Sequence, residues 1–93
     1  MDAELTRRIR EAAEHLVSLG ATAVYVFGSV LDDRLRDDSD VDLAVSGLPP
    51  LVFFEAMAEV SRIVGRPVDL VSLERQPAVA ESLHASGVLQ RVA

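Results

Sequence analysis

At 93 residues, 49% hydrophobic and without cysteine, the chain is expected to fold as one domain, residues 1–93, with a real core and neither disulfides nor a thiolate zinc site. Its net charge is −6 and all nine cations are arginine, which excludes a Walker-type or Schiff-base lysine; with four aromatics and no basic stripe, direct nucleic-acid binding is not expected. No stretch approaches the roughly 18 apolar residues of a membrane span, and MDAELTRRIR has no apolar region behind it to make a signal peptide, so no membrane contact and a cytoplasmic location are expected.

In chain order, Leu5, Ile9, Ala12, Ala13, Leu16 and Val17 recur at helical spacing ahead of Gly20, which predicts an amphipathic helix over Asp2 to Leu19. TAVYVF, Thr22 to Phe27, is β-branched and aromatic and stops at Gly28, the pattern of a buried strand. VDLAVS, Val41 to Ser46, predicts a second strand, ended by Gly47 and Pro49-Pro50. Leu51 to Val64 has helical spacing through Phe54, Met57, Ala58, Val60 and Ile63, with Gly65 as its cap and Pro67 as its stop. PVDLVSL, Pro67 to Leu73, predicts a third strand, and Pro77 opens a last helix to about Ser86. Gly87 and a short apolar tail, VLQRV, follow. The expected fold class is α/β: a small, mixed, mainly three-stranded sheet with helices packed on it.

Between Phe27 and Asp40 lie only twelve residues, marginal for a parallel crossover, so the first two strands should be antiparallel. A full helix joins the second and third strands, which should be parallel with a right-handed connection. Parallel strands start at the same end of a sheet. Asp40, Asp42 and Asp69 should therefore converge there, beside the Gly28-Ser29 turn, whose amides can point outward. The segment from Gly28 to Asp42, GSVLDDRLRDDSDVD, holds six aspartates, which repel one another unless a cation sits among them. Magnesium suits such a place, because it takes a few carboxylates and completes its shell with water and phosphate oxygens. Two such ions can stabilise both oxygens of a phosphoryl displacement.

Gly28-Ser29, ten residues, Asp40-Val41-Asp42, and a later Val68-Asp69-Leu70 resemble the signature of the minimal nucleotidyltransferases of the polymerase-beta-like superfamily. The strings VFGS and SDVDLAV resemble that family too, over roughly Val24 to Ser72. The resemblance implies the nucleotidyltransferase fold and transfer of AMP from ATP to a hydroxyl with release of pyrophosphate. Gly28 and Ser29 would hold the triphosphate. Asp40 and Asp42 would bind two Mg2+ ions (Mn2+ being the substitute), and Asp69 would bind one ion and help activate the hydroxyl. It further implies an antitoxin whose partner is a helical HEPN-type toxin ribonuclease, the acceptor being a tyrosine of that toxin, in a homo- or hetero-oligomer.

One departure is visible. Where many members carry strings such as GSRARG, this chain has Val30-Leu31-Asp32-Asp33-Arg34. Two added carboxylates repel a triphosphate, Arg34 or Arg36 being the candidates to compensate. The alternative is a catalytically weak or inactive module that neutralises its partner by binding alone. A small-molecule transferase of the aminoglycoside-modifying kind resembles longer chains with an added domain.

Other candidates read as structural. Asp32, Asp33, Asp37 and Asp38 read as solvated loop residues. Asp38, Asp40 and Asp42 match the first ligands of an EF-hand, but the required glycine is Leu43 and the twelfth-position glutamate is Pro49. His15 and His84 have no partner at ligand spacing and read as surface histidines. Phe53, Phe54 and Met57 read as core, or as a partner surface where they stay exposed.

Overall fold

A computed structural model describes residues 3–28, 40–87 and 89–93. Helix α1 runs Ala3–Ser18, strand β1 Ala23–Phe27 and strand β2 Val41–Ser46. A 3-10 turn at Pro50–Val52 leads into helix α2, Phe53–Val64. Strand β3 is Val68–Ser72, helix α3 Pro77–Ser86 and strand β4 Gln90–Arg91.

The strands form one mixed sheet in the order β3-β2-β1-β4. β1 and β2 are antiparallel, with Phe27 opposite Asp42 and Ala23 opposite Ser46. β2 and β3 are parallel, with Val41 beside Val68 and Asp42 beside Asp69. Both pairings agree with the loop-length reasoning.

The sheet has four strands, a correction to the expected three. The tail read as merely apolar adds an antiparallel edge to β1, Val26 opposite Gln90 and Tyr25 opposite Arg91. Backbone bonds from Val92 N–H to the Val24 carbonyl (2.8 Å) and from Val24 N–H to the Ala93 carbonyl (3.1 Å) extend the pairing. Two residues are too few to show an alternation, so no periodicity in the sequence could announce this strand.

The core lies between one face of the sheet and the helices α1 and α2. Leu5, Ile9, Ala12, Ala13 and Leu16 form the buried stripe of α1, and Phe53, Ala56, Val60 and Val64 that of α2. They close on Val24, Val26, Val41, Leu43, Val45, Val68 and Leu70. Each fully buried side chain of this size contributes about 1.5–3 kcal/mol relative to exposure. The outer face of α1 is held by ion pairs instead, Arg8–Glu4 at 2.9 Å and Arg7–Glu11 at 2.6 Å. Such exposed pairs contribute roughly 0.3–0.5 kcal/mol each.

Two polar links fix α2 against its neighbours. The Ser61 hydroxyl donates to the Met57 carbonyl (2.8 Å) and accepts the Val68 N–H (3.0 Å), which sets where β3 begins. His15 Nε2 meets Glu59 Oε1 at 3.1 Å and ties α1 to α2, so this half-buried histidine has a structural partner. His84 bonds the Ala80 carbonyl within its own helix. Helix α3 buries none of its residues. Phe53 belongs to the core whereas Phe54 is 74% exposed, which splits a pair the sequence reading grouped together.

Candidate functional site

The site is set by strand alternation. Val41 and Leu43 are fully buried and point at the helices, so Asp42 between them points to the opposite face. Val68 and Leu70 do the same to Asp69, which is exposed. Laterally paired positions share a face, so Asp42 and Asp69 stand side by side on strands about 4.8 Å apart. Asp40, exposed, precedes β2 at the same end of the sheet.

Gly28 closes this end from the β1 side. Its φ is +79°, and a Cβ added there would overlap the Asp42 carboxylate. The residue must therefore be glycine twice over, for its left-handed backbone and for the approach of an acidic side chain. Phe27 faces Asp42 across the antiparallel pair and is half-buried on the same face. The sequence placed it only in a strand; its position two residues after Tyr25 in an alternating run was the available signal.

The electrostatics are unbalanced. Burial raises the Asp42 carboxyl above the usual aspartate range, and the charges of Asp69 and then Asp40 push it further. No described residue donates a hydrogen bond to Asp42, and no described cation pairs with it. Among the described residues, no three His, Cys, Asp or Glu side chains stand close enough to hold an ion by themselves. The donor set is oxygen only, short of positive charge and open to solvent. That suits a hard divalent cation whose shell is completed by water and a phosphorylated ligand, rather than an all-protein cage.

Ser29, expected at the triphosphate, lies outside the described residues, as do Asp32, Asp33, Asp37, Asp38, Arg34 and Arg36. Of the remaining expected site residues, Gly28, Asp42 and Asp69 share one rim of the sheet, with Asp40 at its edge.

The family model for polymerase beta nucleotidyltransferases matches residues 10–89. Among solved structures, a protein described as a minimal nucleotidyltransferase is 37% identical, with 80% of each chain covered and a TM-score of 0.65. A chain of a toxin–antitoxin complex with AMP-PNP is 20% identical, covering 95% of this chain and 72% of its own, with a TM-score of 0.71. A chain of the complex of a tri-AMPylated Shewanella oneidensis HEPN toxin with its MNT antitoxin is 20% identical, covering 96% and 69%, with a TM-score of 0.64. The last two likenesses concern the fold. No curated protein sequence matches the chain. The family model spans every element from β1 to α3 and the whole carboxylate rim, and with the 37% identical relative it gives the assignment: the chain belongs to the polymerase beta nucleotidyltransferase family.

Proposed function

We propose that the protein is a metal-dependent nucleotidyltransferase that moves AMP from ATP to a hydroxyl of a protein partner, a tyrosine of a HEPN-type toxin, and thereby acts as its antitoxin. The observation that carries the reading is the Asp42–Asp69 pair, in register on one sheet rim against the backbone of Gly28. The likeness to complexes of toxins with MNT antitoxins supports the choice of partner.

In this reading Gly28 and Ser29 hold the triphosphate while Asp40, Asp42 and Asp69 hold Mg2+. Bound there, magnesium would neutralise the phosphates and polarise the α-phosphorus. The acceptor hydroxyl oxygen forms a bond to that phosphorus, and its proton passes to the Asp69 carboxylate, the more exposed of the paired acids. The bond from the α-phosphorus to the bridging oxygen breaks, and pyrophosphate leaves with the electron pair.

The test incubates the protein with ATP labelled at the α-phosphate, Mg2+ and a HEPN-type toxin as candidate partner. Label is expected on that partner, and loss of label with Asp42→Asn. No label from the wild type, with the variant indistinguishable from it, overturns the reading. The second reading, neutralisation by contact alone, is favoured by the acidic Val30–Arg34 segment. It requires no Mg2+-dependent ATP binding, which calorimetry detects directly.

A further inference from the structure

We infer that the opposite end of the sheet carries a second ligand site, independent of the transferase reading, for a small aromatic or aliphatic carboxylate. A cavity of about 330 Å³ opens between the first turn of α2 and the end of β3. Its apolar walls include Phe53, Phe54 and Leu70, and its polar groups are Ser72, Arg75 and Gln76. Ser72 lies three residues along β3 from Asp69, roughly 10 Å away, so the cavity is separate from the carboxylate rim.

Three features point to a ligand. Ser72 is 94% buried as a residue and lines the cavity, and no side-chain hydrogen bond ties its hydroxyl to a described residue, so the hydroxyl meets the solvent of the cavity rather than being sealed in the core. A hydroxyl that meets the cavity without a protein partner can bond a polar ligand atom there in place of water. Arg75 forms no ion pair with a described residue, although the protein as a whole carries an excess of acid. Phe54 stands beside the cavity at 74% exposure, a cost in water that an apolar ligand would recover. Apolar walls with a few convergent polar groups are the usual make-up of a small-molecule site, and this volume lies at the lower end of the usual range.

The chemistry selects a monoanion. A single guanidinium offers paired donors to one carboxylate. No second described cation lines the cavity to neutralise a phosphate dianion, and the net charge of −6 opposes one. The ring or alkyl group of the ligand fills the space beside Phe53, Phe54 and Leu70. Its carboxylate reaches Arg75, with Ser72 and Gln76 completing the hydrogen bonds.

The test is an amide-resolved NMR titration of the 15N-labelled protein with 3-phenylpropionate, its uncharged amide 3-phenylpropanamide, and inorganic phosphate. The acid should move the amide signals of Phe54, Leu70, Ser72 and Gln76 saturably in the millimolar range, without moving those of Asp42 and Asp69. The uncharged analogue should bind about three- to fivefold more weakly, and phosphate should leave these signals in place. Arg75→Gln should bring acid and amide to equal affinity, and Phe54→Ser, at an exposed position, should weaken both. Equal affinity of acid and amide for the wild type, no saturable shift at these four amides, or an Arg75→Gln variant that keeps the preference would each overturn the proposal.

Discussion

Each end of β2 sets a carboxylate beside a glycine of left-handed backbone, and the two ends treat that carboxylate in opposite ways. At the end of the strand, burial opposes the charge of Glu74, but Oε1 accepts the Ser46 hydroxyl at 2.7 Å and the Gly47 N–H at 2.5 Å. Those bonds win and hold its pKa below the usual range. At the start of the strand, Asp42 receives no donor from any described residue, and burial with two acidic neighbours moves its pKa the other way. A fold that only needed closing would treat both alike. The first arrangement is a satisfied turn, whereas the second stores unfavourable charge that a cation and its ligand would relieve.

The largest expected effect breaks the unsatisfied end. Asp42→Asn should lower nucleotidyl transfer at least about 100-fold, because it removes a proposed metal-holding oxygen. Melted without metal, the same variant should be more stable than wild type. The gain is about 0.5 kcal/mol after allowance for solvent screening, roughly 2–4 °C in Tm. A variant that loses activity and stability together would mean that Asp42 supports the fold. Added Mg2+ with ATP should stabilise wild type by about 2.7 kcal/mol at a hundred times the dissociation constant, read as a rise in Tm, and leave Asp42→Asn unmoved.

Next in size is Gly28→Ala. The new Cβ meets the Asp42 carboxylate and the backbone sits at positive φ, so about 1–3 kcal/mol of stability should be lost, together with transfer. Denaturant titration measures the first and label incorporation the second. At the satisfied end, Glu74→Ala should cost about 1 kcal/mol, since both donors stay near water, while transfer stays within about twofold of wild type.

The same contrast has a pH signature. Asp42 has a raised folded-state pKa, so the native state binds more protons than the unfolded chain. Its contribution is most favourable below the ordinary aspartate pKa and is lost as pH rises through the raised value. Glu74 has a lowered folded-state pKa, so its contribution is present above the ordinary glutamate pKa and is lost as pH falls through the lowered value. Asp42→Asn should remove the first dependence and leave the second. Glu74→Ala should do the reverse, as read from urea midpoints between about pH 3 and 7.

Most of the architecture was legible because period and punctuation agree. The spacing in α1 matches its buried stripe except at Val17, which is 46% exposed, Pro77 and Gly87 bracket α3, and Val-Asp-Leu at two strand starts fixes which face each aspartate takes. The short Phe27–Asp40 interval gave the antiparallel pairing, and hence the shared rim. The rest depends on contacts that sequence spacing does not encode. β4 exists because Val24 has backbone groups left over by β2 at a sheet edge, and Glu74 is satisfied by donors twenty-seven and twenty-eight residues away. Neither has a local pattern. The exposure of Phe54 beside buried Phe53 likewise follows from where α2 meets the sheet rather than from composition.

The smallest expected effect sharpens the comparison within the rim itself. Asp69 stands beside Asp42 on the parallel strand, but it is exposed where Asp42 is half-buried. Water screens its charge, so Asp69→Asn should raise the metal-free Tm by less than Asp42→Asn does, by no more than about 1–2 °C. Its effect on transfer should nevertheless be of the same order, because the proposed reaction uses Asp69 both to hold the ion and to receive the proton. Equal gains in Tm from the two variants would show that burial is not what separates them. A transfer rate untouched by Asp69→Asn would leave Asp42 and Asp40 holding the ion, with the proton passing directly to solvent.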